Sequence, residues 1–150
     1  MKQLFFGILL LVSASAFAQK TFSKNELSVN GFRNPSIGLE YRYQHISVHA
    51  GYYITAFESG VTTKFLKTGL TAWFLPVGKK ENPSSFYAGV SYLRGLNLDY
   101  KDENALGMEA GFRWMVWKGL NLRIGAIGVA AKGHDFKINP TPGISYSVFF

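Results

Sequence analysis

The chain has 150 residues, a net charge of +7, no cysteine, and three Trp, eight Tyr and thirteen Phe. That length suits one domain, and the absence of cysteine excludes both a disulfide scaffold and a thiolate metal site. A basic balance can mean nucleic acid, but the amino terminus here is of the kind that directs export, and anionic lipid headgroups are then the nearer partner.

Lys2 gives a basic start, Leu4 to Val12 is an apolar run, and Ala16-Phe17-Ala18 is a small-x-small cleavage site before Gln19. Residues 1–18 are expected to be a secretory signal peptide. The apolar run falls short of the ~20 residues of a spanning helix. Removing Lys2 with the peptide leaves a charge of +6 on residues 19–150, one domain in which no second apolar run reaches spanning length.

Eight strands are predicted from period-two alternation. The first, Lys24 to Phe32, sets Leu27 and Val29 against Ser28 and Asn30, and turns at Arg33-Asn34-Pro35. The second, Ser36 to Gln44, sets Ile37, Leu39, Tyr41 and Tyr43 against Gly38, Glu40 and Arg42. A turn at Gln44-His45 leads into the third, Ile46 to Thr55, with Val48, Ala50 and Tyr52 opposite Ser47, His49 and Gly51. A polar loop, Ala56 to Thr63, precedes the fourth strand, Phe65 to Phe74, with Leu66, Leu70, Ala72 and Phe74 outward. Leu75 to Ser85, with Pro76, Gly78 and Pro83, reads as a connection. The fifth strand, Phe86 to Arg94, and a charged loop, Gly95 to Glu103, follow. The sixth, Ala105 to Val116, alternates most clearly: Leu106, Met108, Ala110, Phe112 and Trp114 against Gly107, Glu109, Gly111 and Arg113. After Trp117-Lys118-Gly119 the seventh runs from Leu120 to Ala130. Ala131 to Pro140 is expected as a loop, and the eighth strand is Thr141 to Phe150.

One face of these strands carries Glu40, Arg42, His49, Glu109, Arg113, Asn121 and Arg123 among glycines, while the other is almost free of charge. A water-soluble barrel or sandwich keeps its apolar face inside. The inverted pattern is the one expected when the outer face meets lipid. With the amino terminus on the periplasmic side, Tyr43, Phe74, Phe86, Trp114 and Phe150 fall at the periplasmic ends of five strands and face outward, as an interfacial aromatic girdle does. The prediction is an all-β protein, an eight-stranded antiparallel up-and-down transmembrane β-barrel in the bacterial outer membrane.

The signal peptide and the final Gly143-x-x-Tyr146-x-x-x-Phe150 strand are similar to those of the small eight-stranded outer-membrane barrels of the OmpX and OmpA transmembrane-domain type. The resemblance implies that Gly143, Tyr146 and Phe150 form the signal read by the barrel-assembly machinery. It also implies a Gram-negative outer membrane as the site, and lipid and lipopolysaccharide as partners. A monomer is expected, with no nucleic acid partner.

Candidate chemistry is sparse. His45-Ile46-Ser47 resembles the His-x-Ser pair of lipid A deacylases of this barrel class, in which a histidine base activates a serine for acyl transfer. In the expected register, however, His45 sits in a periplasmic turn and Ser47 faces the lumen. His134-Asp135, with Glu58 and Ser59 from an earlier loop, loosely resemble the loop residues of palmitoyl-transferring barrels. No metal-ligand spacing and no cofactor motif is present; His45 and His49 share a face but lie ~13 Å apart. Glu40 with Arg42, and Glu109 with Arg113, share faces, and with Arg123 are expected to form an ion-pair network plugging a lumen that eight strands leave just wide enough for side chains. Arg33, Lys64, Lys67, Arg94, Lys101, Lys132 and Lys137 are expected at the outer rim, where Arg33, Lys64, Arg94 and Lys132 are candidates for lipopolysaccharide phosphates. The expected role is structural or surface-interacting. The alternatives are a lipid A-modifying acyl hydrolase or transferase, a narrow ion channel, and a secreted lipocalin-like binder.

Overall fold

A computed structural model describes residues 22–150, so the expected signal peptide lies outside the described residues. The strands are β1 (Asn25–Asn30), β2 (Ile37–Tyr43), β3 (Ile46–Glu58), β4 (Val61–Val77), β5 (Ser84–Gly95), β6 (Asn104–Trp117), β7 (Leu120–Ala131), β8 (Lys137–Pro140) and β9 (Gly143–Phe149), with one 3₁₀ turn at Leu98–Tyr100. Strands β1 to β6 pair in sequence, β6 pairs β7, β7 pairs β9, and β9 pairs β1, so the antiparallel sheet closes into a ring. One end of the ring, here the lower, carries the turns at 44–45, 78–83 and 118–119. The upper end carries segments 31–36, 59–60, 96–103 and 132–136.

Alternation builds this ring because each strand must bury one side and expose the other. Along β6, Gly107, Glu109, Arg113 and Met115 are inside, while Leu106, Met108, Ala110 and Trp114 are exposed. The lower turns are tight. Gln44 and Lys118 take positive φ, the geometry of two-residue hairpin turns whose twist matches that of the flanking strands. Gly119 has φ +108, and a Cβ there would run into the Ser147 carbonyl, so that turn demands glycine.

The strand ends differ from the sequence expectation in several places; the expected connection Leu75 to Ser85, for one, shrinks to residues 78–83, because β4 runs on to Val77 and pairs there with Ser84 of β5. Ala56 to Thr63 is not an open loop: β3 and β4 continue through most of it and join at Ser59-Gly60. Its polar residues mark solvent exposure, not loss of the ladder. Residues 137–140, expected as loop, form β8, which runs along β7 in line with β9. The two are separated at Thr141-Pro142, where proline lacks the N–H the ladder would use, although Thr141 N–H still bonds the Gly125 carbonyl at 2.8 Å.

A further difference shapes the ring. β1 and β2 are short, and β2 pairs with β3 only as far as Tyr52. The connection after β1 folds inward instead of rising, and Asn34, Pro35 and Ser36 are buried. The Asn34 amide is shared between the Tyr87 hydroxyl and both oxygens of Thr141, its carbonyl at 2.9 Å. Above this short hairpin, β3 and β8 face each other across a seam with no backbone ladder. Asn139 Nδ2 spans it, donating to Thr55 Oγ1 at 2.6 Å and to the Ala56 carbonyl at 3.1 Å.

Inside the ring the side chains sort by height. The lower part holds Phe22, Trp73 and Tyr87 among buried charges. The upper part is an apolar cluster of Tyr53, Phe65, Leu93, Ile127 and Val129, covered by Tyr100 of the 3₁₀ turn. The charged inner face read from the sequence therefore belongs mainly to the lower interior and gives way to an apolar cap above it.

Candidate functional site

Alternation on β1, β2, β4, β6 and β7 aims seven ionisable chains into the ring: Glu26, Glu40, Arg42, Lys67, Glu109, Arg113 and Arg123, all buried. Glu26 is the hub of one group. Arg42 reaches it from the neighbouring strand, its Nε donating to Oε2 at 2.6 Å. Arg113 reaches it from across the ring, Nη1 donating at 2.8 and 3.0 Å to its two oxygens. Glu40 is the hub of a second group, accepting from Arg123 Nη1 at 2.7 Å and from Ser47 Oγ at 2.5 Å. Trp73 ties the groups together. Its Nε1 donates to Ser47 Oγ at 2.8 Å, and the guanidinium carbons of Arg113 and Arg123 lie 4.3 and 5.0 Å from its ring centre. Such cation–π contacts strengthen where water is excluded. Higher up, Lys67 Nζ donates to Glu109 Oε2 at 2.6 Å and to the Pro35 carbonyl at 2.7 Å. A buried charge is tolerable only when paired and hydrogen-bonded, and here the pairing braces opposite walls.

The interior ion pairs join different strands, as charges meeting across a lumen would, and among the described residues none forms between residues that share a strand face. Glu40 goes to Arg123 and Glu109 to Lys67, while Arg42 and Arg113 share Glu26. Side chains two or four apart on one face point the same way, and a narrow ring offers closer partners from across. Glu26 and Lys67 are the participants the sequence reading missed. Glu26 shares parity with Ser28 and Asn30, and Lys67 with Gly69 and Thr71, so the alternation held the signal. Lys67, expected at the rim, is wholly buried.

The acyl-transfer candidates are kept apart. Ser47 is inside and engaged by Glu40 and Trp73, whereas His45 sits in the lower turn, its Nδ1 2.9 Å from the Trp73 carbonyl and its ring 5.1 Å from that of Phe22. His49 faces inward, near Ser91 and Thr71. Among the described residues no group of His, Asp and Glu has the arrangement of a metal site.

At the upper end, Glu58, His134 and Asp135 do come together. With Asp99, Phe57 and Tyr100 they line a cup of about 270 Å³, and Ser59 is not part of it. The His134 ring stacks on Tyr100 at 4.2 Å. Burial, with the Asp99, Glu58 and Asp135 carboxylates nearby, pushes the Tyr100 hydroxyl above its usual range. The cup is acidic and aromatic and lacks a nucleophile paired to a base.

The four rim cations all sit at the upper end. Lys64 and Lys132 are exposed, Arg33 lies 5.7 Å from the Phe32 ring, and Arg94 pairs with Asp102 at 3.0 Å. The aromatic set Tyr43, Phe74, Phe86, Trp114 and Phe150 lies on the outer face towards the lower end, with Phe74 stacked on Phe86 at 6.5 Å. Gly143 is buried at the start of β9, Tyr146 and Phe150 point outward, and Phe149 is half-buried opposite Glu26. Compared with protein-family models, curated proteins and solved structures, the chain matches none.

Proposed function

We propose that residues 19–150 form a transmembrane β-barrel of a bacterial outer membrane, exported by the signal peptide of residues 1–18, with a structural or surface-interacting role and a plugged lumen. The observation that carries this reading is the outer wall. Leu39, Val48, Leu70, Val90, Met108 and Ile124, from six strands, are each 49–69% exposed, while the charges are inside. Water-soluble monomers rarely expose a contiguous apolar patch larger than a few hundred Å², and an apolar band around a polar interior is what a bilayer selects. The outward aromatics near the lower end suit one lipid interface, and the rim cations suit lipopolysaccharide phosphates. The braced, ion-paired interior favours a plug over a channel. The separation of His45 from Ser47 favours a non-enzymatic role over lipid A modification.

In this reading the Gly143, Tyr146 and Phe150 pattern is presented to the barrel-assembly machinery. Phe150→Ala is expected to lower the membrane-inserted yield severalfold while loop substitutions such as Lys132→Gln leave it unchanged; equal yields would remove that role. The reading as a whole is tested by fractionating cells that express the full chain. It requires recovery in the outer membrane, extraction only with detergent, and a gel mobility that shifts on boiling. Recovery as a soluble periplasmic or secreted protein would replace it with the lipocalin-like binder. Planar-bilayer conductance and lipid A mass spectrometry separately test the channel and the enzyme.

A further inference from the structure

The interior charges do not balance. Among the described residues, four buried cations, Arg42, Lys67, Arg113 and Arg123, face three buried carboxylates, Glu26, Glu40 and Glu109. The surplus can be located. Arg113 spends only Nη1 on Glu26, and its Nε and Nη2 have no partner; Arg123 Nη2 has none either. Nε and Nη2 are the two donors along one edge of a guanidinium, the edge that takes an anion bidentately. Arg113 thus holds an unspent anion fork in a buried position. Arg123 is its direct cross-strand partner in the β6–β7 ladder, and facing residues there have Cα atoms about 5 Å apart. Two like charges held side by side repel unless something negative joins them. The carboxylates cannot serve. Glu26 and Glu40 already hold the other ends of these arginines, and Glu109, whose Cα lies ~13 Å along β6 from that of Arg113, is paired with Lys67.

We propose that Arg113 and Arg123, packed against Trp73, form a buried binding site for one small monovalent anion of the size of chloride or nitrate. The charge follows from the surplus of one, and the size from the burial of both guanidiniums. Bound there, the anion accepts from Arg113 Nε and Nη2 and from Arg123 Nη2 and cancels the excess. The site belongs to the ring interior and does not depend on whether the outer wall meets lipid.

The test is thermal unfolding of the full mature protein, in detergent or in plain buffer as fractionation dictates. Chloride or nitrate replaces gluconate, too large to enter, at constant ionic strength. A ligand bound only by the folded state raises the unfolding temperature with the logarithm of its concentration, by about 4 °C per tenfold above its dissociation constant for a domain of this size. The wild type and the rim variant Lys132→Gln should show this rise, and Arg113→Lys, which keeps the charge but removes the fork, should lose it. No anion dependence in the wild type, or an equal rise in Arg113→Lys, would overturn the proposal. Should Arg113→Lys fail to fold, wild-type crystals grown in bromide decide. An anomalous peak within hydrogen-bond distance of Arg113 Nε supports the site, and its absence rejects it. A soluble protein that still binds the anion would sink the membrane reading alone; a membrane protein without it would sink this inference alone.

Discussion

Lys67 is the residue whose placement most changes how the interior is understood. It is buried, and its ammonium is shared between Glu109 and the Pro35 carbonyl, so it pins the inward-folded segment to β6. Removing one partner of a buried pair leaves the other charge stranded, at a cost of about 3–5 kcal/mol, whereas replacing both with apolar residues is often neutral. Lys67→Met is therefore expected to destabilise the protein by about 3–4 kcal/mol in urea unfolding, and Lys67→Met with Glu109→Leu to recover most of that loss. If the double variant were as unstable as the single, the contact to Pro35 would outweigh the ion pair. At this scale the sequence tells which way a side chain points but not whom it meets. Parity places Glu40, Glu109, Arg113 and Arg123 inside, yet their partners depend on ring diameter and stagger, which no local pattern encodes. Glu26 stands near the start of β1, and Lys67 near the start of the expected fourth strand, Phe65 to Phe74, where a charge reads equally well as solvated; β4 in fact begins at Val61 and carries Lys67 well inside it.

At the scale of elements, the short first hairpin governs the rest. Because β2 stops at Tyr52 of β3, the upper wall must close by bringing β8 towards β3, and among the described residues Asn139 supplies the side-chain bonds across that seam. Lost hydrogen bonds cost about 1 kcal/mol each, so Asn139→Ala should cost about 1–2 kcal/mol. Its signature should be local, with faster amide hydrogen exchange in Lys137 to Asn139 and unchanged protection in β5 and β6. Uniform loss of protection would mean that the seam belongs to the main cooperative unit. Gly119→Ala makes a contrasting case. Its positive φ and the Ser147 carbonyl in the path of a Cβ predict a loss of more than 1 kcal/mol felt throughout, because the turn joins β6 to β7. The middles of the strands were legible because alternation is strict where both faces have fixed environments. Their upper ends were not, since above the exposed wall polar residues are compatible with strand and loop alike. β8 was hidden by Pro140 and Pro142, which read as loop punctuation even though a strand can resume beside them.

For the whole molecule the open matter is the medium around the outer wall, and a single substitution separates the possibilities. Val90 lies mid-strand on β5, about half exposed, with Leu70 and Met108 beside it in register. In water, an arginine at such a position touches only solvent, and surface substitutions of that kind stay within about 0.5 kcal/mol. In a bilayer the same arginine sits in hydrocarbon, where a cation on a barrel's lipid face costs about 2–4 kcal/mol near the midplane and almost nothing at the interfaces. The membrane reading therefore predicts that Val90→Arg, in protein refolded into lipid vesicles, loses about 2–4 kcal/mol, while an arginine replacing Tyr43 at the lower rim loses less than about 1. It is the depth dependence that discriminates. A folding defect from lost packing does not follow distance from the ring's midline, and the cost of a charge in lipid does. A flat response along the wall would count against a bilayer around this ring, however apolar its surface.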